Sequence, residues 1–151
     1  MSAYSKTYEI RFSDIDANRH VNYAAYVDAA GDLRYHFFAE HGFPPERFEQ
    51  LGVGPVYTKI TIEFLREVRL GENVTISFAV TGLSPQGTRW TVHHDVLKSN
   101  GKKAVRIDME GVLLDLNTRK PVPANSELLQ VFNMCPRTSN FAVISEMRGS
   151  R

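Results

Sequence analysis

The chain has 151 residues, 42% of them hydrophobic and 23% charged, which suits one globular domain with a buried core. A net charge of +1 with no long basic block speaks against a nucleic-acid partner, and the single cysteine, Cys135, excludes an intramolecular disulfide. The N-terminus lacks the apolar run of a signal peptide and no stretch approaches the ~20 apolar residues of a membrane span, so a soluble, cytoplasmic protein is expected.

The first predicted element is a half-buried strand. Tyr4, Tyr8, Ile10 and Phe12 share one parity and Ser5, Thr7, Glu9 and Arg11 the other; Lys6 breaks the apolar set. A polar turn follows from Ser13 to Arg19. Asn22 to about His41 reads as a helix, with Tyr26, Ala30, Leu33 and Phe37 forming an apolar stripe at three- and four-residue steps. Ala24, Ala25, Ala29, Ala30 and Gly31 keep its first half slender, which lets a sheet wrap closely around it. Asn22 is a candidate N-cap, Gly42 a terminator, and Pro44-Pro45 block continuation. A short turn or helix is expected from Pro45 to Gln50.

Four strand-like runs come next, at Val56–Phe64, Asn73–Leu83, Thr88–Leu97 and Lys103–Leu114. Each alternates apolar and polar residues, and Gly111 on the apolar face of the last is expected to mark a bulge. Gly71-Glu72, Ser84-Pro85-Gln86-Gly87 and Ser99-Asn100-Gly101 are links of hairpin length, so the pairing should be antiparallel. A final helix is expected from Pro123 and Asn125-Ser126 through Asn133, ended by Pro136. The layout is α+β: an antiparallel five-stranded sheet wrapped around one long central helix. Residues 1–151 read as a single domain, with a core over about 4–123 and a C-terminal helix and tail over 124–151.

The chemistry concentrates between Arg11 and Tyr26, where a strand enters a turn carrying Asp14 and Asp16 and leaves it as a helix. A carboxylate beside a helix N-terminus can work together with backbone N–H groups that hold a developing oxyanion. Taken alone, Asp16 is also an ordinary turn or cap residue.

Asp14, Asp16, His20, Val21, Asn22 and Tyr26 stand at the spacing Asp-x-Asp, three residues, His-Val-Asn, one residue, x-x-Tyr. This stretch resembles the active-site segment of hotdog-fold acyl-CoA thioesterases, the 4-hydroxybenzoyl-CoA thioesterase-like superfamily. Tyr23 departs from the Asn of one branch and looks like the Tyr of the aroyl-CoA branch. The resemblance implies a thioester hydrolase in which Asp16 is catalytic, the backbone N–H of Tyr23 polarises the thioester carbonyl, and the site lies at the interface of a homodimer or dimer of dimers. The carboxylate would attack the carbonyl itself or deprotonate a water that does so. His20 is a candidate hydrogen-bond donor or a turn-fixing residue, and Asn22 binds a carbonyl or caps the helix. Asp14 is expected to hold the turn.

A coenzyme A substrate needs cations for its phosphates, and Arg66, Arg69 and Arg89 are the candidates, with Lys102-Lys103 behind them. The turn Ser84–Thr88 is uncharged, whereas the aroyl-CoA branch carries a denser basic turn there, so an acyl-carrier-protein thioester is the alternative substrate. A non-catalytic acyl-thioester binding module is a further alternative. A hydratase is disfavoured because Arg19 stands where that branch places a proline. His36 and Glu40 share an i, i+4 spacing without a His-Glu-x-x-His pattern, and there is no Gly-x-Ser-x-Gly elbow or phosphate loop. No metal and no tightly held cofactor are expected, and Cys135 lacks an activating partner.

Overall fold

The computed structural model describes residues 4–147. Strand β1 (Tyr4–Glu9) leads through a short 3₁₀ turn (Phe12–Asp14) to the long helix α1 (Tyr23–Glu40), followed by helix α2 (Pro45–Leu51). Four strands follow, β2 (Val53–Phe64), β3 (Asn73–Leu83), β4 (Arg89–Lys98) and β5 (Lys103–Asp115), then helix α3 (Ser126–Met134) and strand β6 (Arg137–Val143).

The sheet order is β1-β3-β4-β5-β2, antiparallel at each of these steps. Gly71, Gly87 and Gly101 take the positive φ that their turns require. Only the Ser84–Gly87 and Ser99–Gly101 links join neighbouring strands; the Gly71-Glu72 link, expected to be a hairpin, instead carries the chain from β2 across the sheet to β3, and β2 pairs with β5. Helix α1 lies along the sheet with Tyr26, Ala30, Leu33 and Phe37 buried, which is the stripe its spacing predicts. Asn22 caps it, its side chain accepting a hydrogen bond from the Ala25 N–H at 3.0 Å. An antiparallel sheet curled around one long helix is the hotdog fold.

Two further expectations need correcting. Among the described residues the sheet has six strands, not five, because β6 pairs in parallel with β3 beyond the end of β1. Arg137–Val143 has no apolar alternation to announce a strand. Its order comes from the unoccupied edge of β3, where the Val80 N–H donates to the Pro136 carbonyl at 2.7 Å and the Ile144 N–H to that of Leu83 at 3.2 Å. The expected bulge at Gly111 falls instead on the facing strand, between Tyr57 and Lys59 of β2.

Gly111 has a different task. It sits opposite Tyr57 on one side and Trp90 on the other. The Trp90 ring lies across it, and a Cβ there would overlap both that ring and the Val56 carbonyl. Neither neighbour can yield easily, since one is a packed indole and the other ladder backbone. Gly111→Ala should therefore destabilise the fold by about 3 kcal/mol, the upper range for overpacking. A urea-unfolding midpoint unchanged from wild type would refute this packing account.

Among the described residues strand β2 pairs only with β5, and its other edge has no strand beside it. Ile60 and Phe64, read in the sequence as part of a buried face, are 38% and 59% exposed. Tyr57 and Leu65 are exposed along the same stretch. The amphipathic pattern of β2 is real, but the described residues leave part of its apolar face exposed.

Candidate active site

Between β1 and α1 the chain is held by its own polar groups. The Asp14 carboxylate accepts from the Arg11 N–H at 2.9 Å, and the Asp14 carbonyl accepts from both the backbone N–H (2.9 Å) and the side-chain amide (3.0 Å) of Asn22. The Asp16 N–H donates to the His20 carbonyl at 3.1 Å, and the Arg19 N–H to the Asp16 carbonyl at 3.1 Å. Closing so tight a loop puts Arg19 at φ +66°, a conformation that disfavours side chains. The Val21 N–H then pins the loop to the Val68 carbonyl at 2.8 Å.

This bracing presents Asp16, His20 and Tyr23 to one groove of about 360 Å³, walled on the far side by Tyr26 and by 64–68. The Asp16 carboxylate is about one-third exposed and lies 3.8 Å from the His20 imidazole. One of its oxygens accepts from the Asn18 N–H at 2.8 Å; the other faces His20. At the helix start the Ala25 N–H is capped by Asn22, while the N–H groups of Tyr23 and Ala24 have no acceptor among the described residues. Unpartnered N–H groups at a helix N-terminus attract negative charge. The groove thus joins a carboxylate and two free donors in one solvent-accessible place.

The other candidate residues are distributed unevenly. Asn22 uses both ends of its amide for the cap and the Asp14 carbonyl, so the structure gives it the capping role. Arg66 lines the groove, with one guanidinium nitrogen donating to the Lys103 carbonyl at 2.7 Å. Arg69 is outside the lining residues and reaches Glu67 at 3.4 Å. Arg89 sits at the opposite end of the strands, donating to the carbonyls of Ser145 (3.0 Å) and Met147 (3.2 Å). Asp28 and Asp32 line a separate cavity between α1 and β1, where Asp32 accepts from the Tyr8 hydroxyl at 2.8 Å. Glu63 is a surface residue, 3.6 Å from Arg106. Cys135 is buried, and burial pushes its thiol up to about 12.

The wall formed by 64–68 was not anticipated from sequence, because nothing local ties that segment to the Asp16 turn. A second polar cluster was also missed. Arg34 of α1 points inward between the helix and the sheet, where Nη1 donates to His94 Nε2 at 2.6 Å, and Nη2 donates to the Tyr57 hydroxyl. His94 is fully buried, and its Nδ1 donates to the Ser77 carbonyl at 2.9 Å. Burial and the adjacent guanidinium hold His94 down to about 3, so it is neutral and its Nε2 is an acceptor. The signal was present in the sequence: Arg34 stands four residues after Ala30 and three before Phe37, a cation inside the apolar stripe.

The chain belongs to the thioesterase-like superfamily, whose model matches residues 10–132. Among solved structures it is similar to a hypothetical protein from Staphylococcus aureus in complex with CoA, at 18% identity over 91% of this chain and 89% of that one, with a TM-score of 0.77. It is also similar to the DHNA-CoA thioesterase of S. aureus, at 16% identity over 89% and 91% of the two chains, with a TM-score of 0.79. A putative oleoyl thioesterase from Lactobacillus plantarum matches at 21% identity and a TM-score of 0.82 over 99% of this chain; the chain spans about half of that protein, 55%. No curated protein matches. No helix among the described residues is long and apolar enough to cross a membrane.

Proposed function

We propose that the protein hydrolyses an acyl thioester, most simply an acyl-CoA, to the free acid and the thiol. One observation carries this reading: in a chain of the thioesterase-like superfamily, the Asp16 carboxylate and the unpartnered N–H groups of Tyr23 and Ala24 meet at one groove. The thioester carbonyl would lie against the helix N-terminus. Asp16 would attack it, forming a mixed anhydride that water opens, or would take a proton from the attacking water. Either route puts negative charge on the carbonyl oxygen, where the two N–H donors stabilise it. His20, 3.8 Å from Asp16, would orient the carboxylate. Arg66 at the groove wall is the nearest cation for a coenzyme A phosphate. The similar S. aureus structure in complex with CoA supports this choice of thiol carrier.

The test is thiol release from a panel of short-chain, long-chain and aromatic acyl-CoAs. Hydrolysis of at least one class is expected, with free coenzyme A competing. No turnover of any acyl-CoA, followed by turnover of an acyl-carrier-protein panel, would transfer the reading to the carrier-protein thioester. Turnover of neither would leave the acyl-binding module.

The open edge of β2 supports self-association. A long unpaired edge carrying Tyr57, Ile60, Phe64 and Leu65 is an aggregation hazard unless another strand covers it. A second copy presenting the same edge would extend the sheet across a twofold axis. Light scattering should give a dimer mass or a multiple of it, and Ile60→Lys should shift the population toward monomer. A monomeric wild type at working concentration would refute the pairing.

A further inference from the structure

Arg34 is a cation in an apolar place with no anion beside it. Its partners are the neutral His94 ring, the Tyr57 hydroxyl and the thioether of Met109 at 3.3 Å. No carboxylate lies within ion-pair distance among the described residues. Of the five guanidinium N–H donors, these contacts engage three. The Nε–H and one Nη2 hydrogen have no acceptor among the described residues, and Nε with Nη2 forms an edge that can receive a carboxylate in a bidentate pair.

Arg34 borders open space. Arg34, Phe38, Pro55 and Tyr57 line both a small apolar pocket of about 70 Å³ and a wider groove of about 420 Å³ beside it. The groove is otherwise formed largely by apolar and aromatic groups, with Glu49 exposed at its rim. Trp90 lines the small pocket, and its Nε1 is buried without a partner among the described residues. A buried unsatisfied donor and a half-engaged guanidinium in one apolar region are what a ligand acceptor would complete.

Its position relates it to the proposed active site. Both the Asp16 groove and the Arg34 groove lie along the seam between α1 and β2. Tyr23 and Arg34 are eleven residues apart on one helix, roughly 16 Å along its axis. An acyl group whose carbonyl sits at the Tyr23 N–H and whose body follows the seam would bring its far end to Arg34.

We infer that Arg34 is a specificity residue selecting acyl groups that end in a carboxylate, with an apolar body lying along the α1/β2 seam. The inference rests on the thioester reading for the position of the carbonyl, but the anion-reading edge does not depend on turnover.

The test therefore separates binding from hydrolysis. Trp90 is the sole tryptophan of the chain and lines the cavity, so its fluorescence reports occupancy. The probes are the monomethyl and dimethyl esters of one medium-chain α,ω-dicarboxylic acid, which differ only in one terminal carboxylate. Wild type should bind the monoester tighter by about tenfold or more, the worth of a charged bidentate contact. Arg34→Met should abolish that preference while still binding the diester. Tyr57→Phe frees an N–H on Arg34 and should strengthen the preference, which keeps the idea testable if Arg34→Met fails to fold. Equal binding of the two esters by wild type, or a preference that survives Arg34→Met, would overturn the assignment. In hydrolysis, KM for the ω-carboxyacyl-CoA should rise in Arg34→Met with kcat little changed, and KM for the matched alkyl acyl-CoA should not. Ester discrimination without any thiol release would sink the thioesterase reading and leave Arg34 as an anion reader.

Discussion

Asp16→Asn should lower kcat for the preferred acyl thioester by roughly 10³-fold or more while leaving the fold intact. The chemical loss is large because an amide neither attacks a thioester nor accepts a proton from water at neutral pH. The structural loss is small because the native carboxylate's one intraloop hydrogen bond comes from the Asn18 N–H, and the Asn carbonyl oxygen can accept it equally well. The contact with His20 is long and about one-third exposed, worth no more than about 1 kcal/mol. KM should change little, since the helix N-terminus that holds the carbonyl is untouched. Steady-state thiol release with circular dichroism on the same samples makes the measurement. Near-wild-type turnover in a folded variant would remove Asp16 from the mechanism.

The second large effect concerns stability in acid. His94 titrates near 6.5 when unfolded and is held to about 3 by burial and by Arg34. Between those values the unfolded chain binds a proton that the folded chain refuses, so stability falls as pH falls. The contribution is complete above 6.5 and is lost progressively on the way to 3. Two pH units into that window, at pH 4.5, the loss is about 3 kcal/mol, or roughly 10 °C in melting temperature for a chain of this size. Asp95, Asp115 and Glu146, whose carboxyls are also held low in the fold, contribute losses of the same sign only below their own ordinary values of 3.8 to 4.5. The difference in thermal unfolding between pH 6.5 and 4.5, compared between wild type and a variant lacking His94, therefore reads this contribution. His94→Gln retains an acceptor for Arg34 and a donor for the Ser77 carbonyl, so it should fold, with lower stability at pH 7 and a much flatter acid slope. An unchanged slope in the variant would assign the acid sensitivity to other groups.

Much of the fold was legible because its signals are local. The stripe of Tyr26, Ala30, Leu33 and Phe37 reports the face of α1 directly, and the turns at Ser84–Gly87 and Ser99–Gly101 make β3, β4 and β5 antiparallel neighbours, whereas the equally short Gly71-Glu72 link crosses from β2 to β3 without pairing them. The Asn22 cap likewise needs only three residues of sequence. The turn carrying Asp16 was legible for the same reason, since its hydrogen bonds run almost entirely between residues 11 and 25. What failed was long-range. The alternation of β2 shows one apolar face but not that its strand would be an edge. The segment Arg137–Val143 carries no strand pattern of its own and forms one because β3 offers it free backbone groups. Arg89 and Arg66 look equivalent as exposed cations in a sequence, yet the antiparallel sheet puts them at opposite ends of the molecule.

The amino-acid sequence by itself determined the three helices, the strands β1 to β5, the antiparallel β3-β4-β5 hairpins and a helix N-terminus beside an acidic turn, because each depends on contacts among near neighbours in the chain. The tertiary structure alone decided which wall faces Asp16, which cation shares its groove, and that Arg34 and His94, 60 residues apart, meet inside the apolar layer. Those pairings are set by strand register and by how the sheet curls over α1, and no residue carries that information locally.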